Sequence, residues 1–198
     1  MSNSVSMAAF ALATSITPGP VNLVALGAGA RYGLRASLRH VTGATAGFVL
    51  LLLLIGLGLH ELMTRWPFFT QAIQWAGVAF LLYVAYRLAV DDGRLAEAEG
   101  GGGPSMLVGA AMQWLNPKAW LASIAGMGAF AASGERVLVW QFAAIYFVVC
   151  FGSIACWAWA GASLRRAMRE PARVRVVNRV MAVVLAASAV WLIVAGAA

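Results

Sequence analysis

Charged residues are scarce in this sequence, and their scarcity limits the class of protein that it can encode. The 198 residues include only 14 Lys or Arg and 7 Asp or Glu, which is 11% of the chain, whereas 62% are hydrophobic. Ordinary soluble domains are about 25% charged and roughly 45–50% apolar. So few charges cannot cover a fold whose surface faces water. The composition excludes a soluble enzyme, a nucleic-acid-binding protein and a disordered chain, and it predicts an integral membrane protein.

Motifs for a cofactor or a catalytic metal are missing as well. The sequence has no P-loop, no His, Cys, Asp or Glu cluster with metal-ligand spacing, and no acid–base pair in an apolar segment. Cys150 and Cys156 are six residues apart on one predicted helix and therefore point to different faces, which disfavours a disulfide. We interpret both as buried small residues. We expect no cofactor, no metal and no enzymatic activity.

The apolar residues form segments that are long enough to cross a bilayer. A membrane helix needs about 20 mostly apolar residues. Six such segments lie between charged boundaries, at residues 1–30, 41–59, 66–86, 105–130, 137–164 and 180–198. They predict an all-α integral membrane protein with six transmembrane helices in a single domain, 1–198. Gly43 and Gly47 form a GxxxG pair in the second span, which favours close helix packing.

Basic residues are divided unequally between the two ends of these spans. Eleven follow the first, third and fifth spans: Arg31, Arg35, Arg39, Arg87, Arg94, Arg165, Arg166, Arg169, Arg173, Arg175 and Arg179. Only Arg65 and Arg136 fall on the other side. The positive-inside rule then places the arginine-rich loops in the cytoplasm and both termini outside. The last loop is most simply a topology signal, and contact with anionic membrane lipid is the alternative.

A polar stretch at residues 91–104 divides the chain into two parts of similar length. It contains four consecutive glycines and ends with Pro104, which is typical of a flexible linker. Three predicted spans precede it in the first half, 1–90, and three follow in the second half, 105–198. Because three is odd, the second half enters the membrane from the opposite side, as in a 3+3 inverted repeat.

The first span of each half is interrupted by proline. Residues 17–20 (TPGP) interrupt span one and residues 116–118 (NPK) interrupt span four. Proline breaks helix hydrogen bonding, and unpaired backbone inside a bilayer persists only where it is buried in protein or lines a wet cavity. Interruptions at matching positions of two halves indicate a transporter site with broken helices one and four. The alternative is a pair of packing kinks.

Lys118 lies about 13 residues into its span, near mid-membrane at roughly 1.5 Å per residue. A lysine at this depth usually faces a cavity or a partner. Because no predicted span contains Asp or Glu, its partners are backbone carbonyls, water or an anionic ligand. Helix N-termini and Lys118 attract a carboxylate, and free carbonyls accept hydrogen bonds from an ammonium group. We predict a site for a small zwitterion, formed by Thr17, Pro18, Gly19, Pro20, Asn22, Gln113, Asn116, Pro117 and Lys118.

Other polar and aromatic residues of the spans are weaker candidates. Four hydroxyl side chains are placed to line a path: Ser15, Thr42, Thr45 and Ser153. A membrane Ser or Thr more often bonds the backbone of its own helix. Trp114 and Trp120 flank residues 116–118 and are candidates for a wall of the pocket.

Three sequence elements together resemble a known family. The TPGP-x-N element, GLRASLRHVTGATAG at 33–47 and QWLNPKAWL at 113–121 are similar to those of the LysE/RhtB family, bacterial exporters of amino acids such as lysine, homoserine and threonine. The resemblance covers essentially the whole chain. It implies efflux across the bacterial inner (plasma) membrane, driven by the proton gradient, and a homodimer. The signature residues are Pro18, Gly19, Pro20, Asn116, Pro117 and Lys118.

Two classes of function follow from these features. We favour a secondary transporter that exports amino acids or related small zwitterions from the cytoplasm through a site at the two breaks. The alternative is a passive channel or a membrane scaffold that does not transport. A channel needs a continuous polar stripe, and the sequence supplies polarity at depth mainly at the two breaks.

Overall fold

The computed structural model describes residues 3–59, 67–92, 104–132, 135–164 and 170–196. Within these ranges the chain forms eight α-helices and no strand. They are α1 Asn3–Ile16, α2 Pro20–Tyr32, α3 Leu34–Leu54, α4 Pro67–Ala89, α5 Met106–Trp114, α6 Pro117–Phe130, α7 Arg136–Leu164 and α8 Pro171–Gly196. A π-helical turn, Ile55–Leu59, continues α3. The prediction of an all-α protein is confirmed for this part of the chain.

Helix length and surface both favour a membrane protein. Leu34–Gly58, with 25 residues, and α7, with 29 residues, are each long and apolar enough to cross a bilayer. The pair α1 and α2 is a third candidate span, bent by 64° between its two helices. Large apolar side chains cover the outer faces, as at Val148 of α7, which is 70% exposed. Each of the six predicted spans contains helix, whereas the arrangement as six spans in a 3+3 repeat stays a prediction.

The helices of the two halves approach closely at glycines. A Cβ on Gly29 of α2 would lie 1.9 Å from the carbonyl oxygen of Ala158 in α7. A Cβ on Gly43 of α3 would lie 1.9 Å from the carbonyl oxygen of Met106 in α5. Only a residue without a Cβ permits such an approach. The GxxxG pair therefore packs within the chain, and Gly47 lies against Ala110 one turn further along.

Several sequence predictions fall outside the described residues. Most of the predicted linker lies there, at residues 93–103, as do five arginines that the topology prediction used: Arg65, Arg94, Arg165, Arg166 and Arg169. The prediction for Cys156 is wrong, because this side chain is exposed, whereas Cys150 is buried as expected. Cys156 lies on the outward face of α7, beside a groove that α1 and α7 form.

Candidate functional site

The first helix break lies between α1 and α2. Pro20 is the first residue of α2, and Gly19 before it has extended backbone, with φ −173° and ψ 172°. The side-chain amide of Asn22 donates hydrogen bonds back across the break to the carbonyl oxygens of Ser15, at 2.8 Å, and Thr17, at 2.9 Å. The indole N–H of Trp157 in α7 donates to the carbonyl of Ile16 at 3.0 Å. Side chains thus bond the carbonyls that the break frees.

The second break lies between α5 and α6 and is closed by its own residues. Pro117 begins α6, and the Asn116 side chain caps this helix by accepting a hydrogen bond from the backbone N–H of Lys118 at 3.2 Å. The indole N–H of Trp120 donates to the carbonyl of Trp114 at 2.8 Å. The Asn116 amide also contacts the Gln113 side-chain oxygen, at 3.4 Å. An Asn cap followed by proline is a common way to start a helix.

Lys118 joins the two breaks. Its Nζ lies 2.6 Å from the Thr17 hydroxyl oxygen, 2.9 Å from the Thr17 carbonyl oxygen and 3.5 Å from the Pro18 carbonyl oxygen. An ammonium group has three donors, and the three contacts of Nζ all lie at the first break. Of the partners that the sequence allowed, the structure therefore gives Lys118 backbone carbonyls, together with one hydroxyl.

A small cavity lies between the breaks. Five of the nine predicted site residues line it: Gly19, Asn22, Gln113, Asn116 and Lys118. Thr17 and Pro18 do not line it but contact Lys118, and Pro20 and Pro117 begin the helices on either side. The cavity volume is about 40 Å³, and a cavity needs only roughly 10–15 Å³ to hold one water molecule. This conformation therefore has room for water at the site and not for a whole amino acid.

Helix α7 adds residues to the cavity that the sequence predictions missed. Tyr146, Cys150 and Ile154 line the cavity, and the Tyr146 hydroxyl hydrogen-bonds with Thr14 of α1. The signal was present in the sequence, because Tyr146, Cys150 and Ser153 are spaced four and three residues apart and so share one helix face. That face points inward, and all three side chains are buried.

The weaker sequence candidates, four hydroxyl residues and two tryptophans, have different positions relative to the cavity. Ser15 lines the cavity, whereas Thr42 bonds the carbonyl of Leu38 on its own helix at 2.8 Å. Thr45 and Ser153 are buried, and their hydroxyls have no hydrogen-bond partner among the described residues. The rings of Trp114 and Trp120 lie outside the cavity wall, against each other, with centroids 6.3 Å apart.

A second, larger cavity of about 440 Å³ lies at the ends of α2, α4, α5 and α8. Arg31, Asp91, Asn178 and His40 are among the polar residues that line it, and Asn178 donates a hydrogen bond to Asp91 at 3.0 Å. His40 is buried, and its Nε2 has no partner in the part of the chain that the structure describes. Helix α2 lines both cavities. The larger cavity lies on the side that the arginine distribution assigns to the cytoplasm, and its volume is in the range of small-molecule sites.

The described residues offer no site for a metal ion, since no group of three or more His, Cys, Asp or Glu side chains comes together among them. Interrupted helices that meet in an all-helical membrane protein are typical of secondary transporters. A family model described as "LysE type translocator" matches residues 12–196. The chain belongs to this family of efflux transporters, which are not enzymes.

Relatives with assigned names agree with this class. The "Cysteine/O-acetylserine efflux protein" of Escherichia coli (strain K12) is 28% identical over 187 residues, which is 91% of this chain and 92% of the relative. Proteins with the same name in Salmonella typhimurium and Salmonella paratyphi A are 28% and 29% identical over 169 residues, which is 83% of this chain and 85% of each relative. No solved structure matches the chain.

Proposed function

We propose that this chain is a secondary transporter that exports amino acids or related small zwitterions from the cytoplasm. The observation that carries the proposal is the contact of Lys118 Nζ with the Thr17 carbonyl and hydroxyl. It joins the interruption of one half to the interruption of the other, over a cavity that both breaks line. The efflux names of the relatives support amino acids as the cargo.

The nine predicted residues supply both kinds of group that a zwitterion needs. The substrate carboxylate competes with Thr17 and Pro18 for the ammonium of Lys118, and the carbonyls that it releases are then free to accept hydrogen bonds from the substrate ammonium. Binding would in this way loosen the contact between the halves. Rocking of the halves around the site would open the small cavity alternately toward each side, with the larger cavity as the cytoplasmic approach.

The finer features of the proposal follow from sequence. We propose six spans in two inverted halves, both termini outside the bacterial inner membrane, energy from the proton gradient, and a homodimer. A reporter enzyme that is active only outside the cytoplasm tests the topology when it is fused after Ala198, and it should be active. Native mass spectrometry in detergent tests the dimer.

Counterflow in proteoliposomes tests the function itself. Vesicles loaded with unlabelled L-serine, L-cysteine, L-homoserine, L-threonine or L-lysine should accumulate the labelled form of at least one of them, and a pH gradient should drive net flux. A passive channel equilibrates its solute without counterflow, and a scaffold moves none. Folded protein that shows no counterflow with any of a broad panel of amino acids contradicts the proposal.

A chemical test uses the fact that Lys118 is the only lysine in the sequence. Reductive methylation of the purified protein modifies this amine and the N-terminus. It should inhibit the counterflow that is measured afterwards, unless substrate is present during the methylation. Lys118→Arg is the matched control, because the reagent then has only the N-terminus to modify and should leave any remaining flux unchanged. Equal inhibition of both proteins would show that the reagent acts elsewhere.

A further inference from the structure

The larger cavity lies apart from the site at the breaks, although α2 forms a wall of both. Val21 and Asn22 line the small cavity, the next two residues, Leu23 and Val24, line the larger one, and among the described residues the two cavities have no lining residue in common. The small cavity has room for water in this conformation, whereas a volume of about 440 Å³ suits a small molecule. A substrate that enters from the cytoplasmic side therefore finds space first in the larger cavity.

Opposite charges from two helices line the larger cavity. Arg31 lies in the last turn of α2, and its guanidinium lies over the ring of Tyr32, with Cζ 5.2 Å from the ring centroid. Asp91 follows the end of α4 and accepts a hydrogen bond from Asn178 of α8 at 3.0 Å. A guanidinium binds a carboxylate through two parallel hydrogen bonds, and a carboxylate attracts an ammonium group. The cavity thus presents one charge for each end of a zwitterion.

A buried histidine adds a third polar group. His40 of α3 lines the cavity and is 2% exposed. An imidazole has two nitrogens; the ring hydrogen-bonds with the backbone of Val21 in α2, and Nε2 finds no partner within the described ranges. Buried polar atoms in native proteins are nearly always paired, so a ring nitrogen remains for a ligand. The other walls are mainly aliphatic, and a few polar groups on apolar walls are typical of a small-molecule site.

We propose that the larger cavity is a second amino-acid site, in which the substrate carboxylate binds Arg31 and the substrate ammonium binds Asp91 before the molecule moves to the breaks. This inference rests on the proposed export of zwitterions. Because the two cavities have separate lining residues, occupation of one does not block the other, and each chain binds two substrate molecules. The two sites also differ in chemistry, since the larger cavity supplies a full negative charge for the ammonium and the breaks supply only carbonyl oxygens.

Equilibrium dialysis of the full chain in detergent counts the sites, with each labelled amino acid of the counterflow panel as the probe. A probe that is exchanged in counterflow should bind with two equivalents per chain. Lys118→Met should keep one equivalent, because it removes the site at the breaks and leaves the larger cavity unchanged. Arg31→Gln should keep the other and weaken the second about tenfold. Asp91→Asn should act in the same direction, and it retains a side-chain oxygen for Asn178, so it provides a second variant if Arg31→Gln does not fold.

Arg35→Gln is the matched control. Arg35 is exposed on α3, on the same arginine-rich side, but it does not line the cavity, so both equivalents should remain. Loss of an equivalent in this variant too would reduce the effect to net charge and overturn the site. A single equivalent in the wild type overturns it, as does full binding by Arg31→Gln and Asp91→Asn, or no binding by Lys118→Met. Displacement of one equivalent by added phosphatidylglycerol would assign the cavity to a lipid headgroup instead. Absence of counterflow with the whole panel contradicts the proposed function and not this site alone.

Discussion

The two helix breaks satisfy their freed backbone groups in opposite ways. At the first break, donors come partly from the other half of the chain, because Trp157 bonds the Ile16 carbonyl and Lys118 bonds the Thr17 carbonyl. At the second break, Asn116 caps its own helix and Trp120 bonds the Trp114 carbonyl. The first break therefore depends on the second half, whereas the second is closed by residues of its own half.

This difference assigns unequal roles to two elements that look alike in sequence. A break whose carbonyls are bonded from the other half must change partners when the halves move. A break closed by its own cap moves as a unit and carries Lys118 at a fixed place on α6. We therefore interpret the second break as the platform of the site and the first as the part that responds to substrate.

The largest effect that we predict comes from Lys118→Met. It removes every contact from Lys118 Nζ to the first break and the charge that attracts a carboxylate, and the loss of hydrogen bonds from a charged donor costs about 3 kcal/mol, or roughly a hundredfold in rate. Counterflow should fall by that factor. Trp120→Phe is the control at the second break, because the hydrogen bond that it removes goes to Trp114 within the same half, and most of the flux per folded molecule should remain. Equal losses in the two variants would remove the distinction between the breaks.

The sequence was sufficient to locate the breaks and to bring Lys118 forward as their central residue, since proline in an apolar span and an unpaired lysine are both strong local signals. It was not sufficient to pair them. Which carbonyls Lys118 reaches depends on how α1 and α6 cross, and that depends on close contacts such as Phe10 of α1 against Gly126 and Phe130 of α6. Pairing over a separation of 101 residues is a property of the packed fold.

The contribution of α7 shows the same limit. Tyr146 and Cys150 carry no charge and lie in a continuous apolar run, so their composition resembles that of any core helix. Their spacing predicts a shared face, but not whether that face meets a dry core or the cavity. His40 is similar, because its place at the larger cavity follows from the approach of α3 to Gly109 on α5.

The next largest effect is on stability, and it comes from replacing Asn22 or Asn116 by the same residue, Asp. Asn22 donates to two carbonyls, so Asn22→Asp has no hydrogen to offer, and the new carboxylate would also compete with the Thr17 carbonyl for Lys118. We expect destabilisation of about 3 kcal/mol. Asn116 accepts the cap hydrogen bond and donates only a long one, of 3.4 Å, to Gln113. Asn116→Asp keeps the cap at a helix N-terminus that favours negative charge and loses only that weaker donor, so it should cost about 1 kcal/mol, well below the cost of Asn22→Asp. Thermal unfolding in detergent measures both, and similar shifts would contradict the assigned hydrogen bonds.

The smallest effect on stability is expected at Gly19, at the first break, and Gly77, which packs against the second break, provides the contrast. A Cβ on Gly19 would lie 3.6 Å from Cδ and Nζ of Lys118, which is ordinary contact, and the extended backbone there accepts any residue. Gly19→Ala should therefore fold with a change below about 0.5 kcal/mol. Its methyl group nevertheless takes up cavity space beside the ammonium that a substrate carboxylate needs, so counterflow should slow severalfold. A Cβ on Gly77 of α4 would lie 2.7 Å from Cγ of Pro117, a rigid ring that cannot move aside. Gly77→Ala should cost about 1–3 kcal/mol of stability and, in the fraction that stays folded, leave the rate per molecule close to that of the wild type. Gly19→Ala should thus lower the flux per folded molecule and keep the unfolding temperature, whereas Gly77→Ala should lower the unfolding temperature and keep the flux per folded molecule. If Gly19→Ala were the less stable of the two, the first break would be a packing element and not the responsive part of the site.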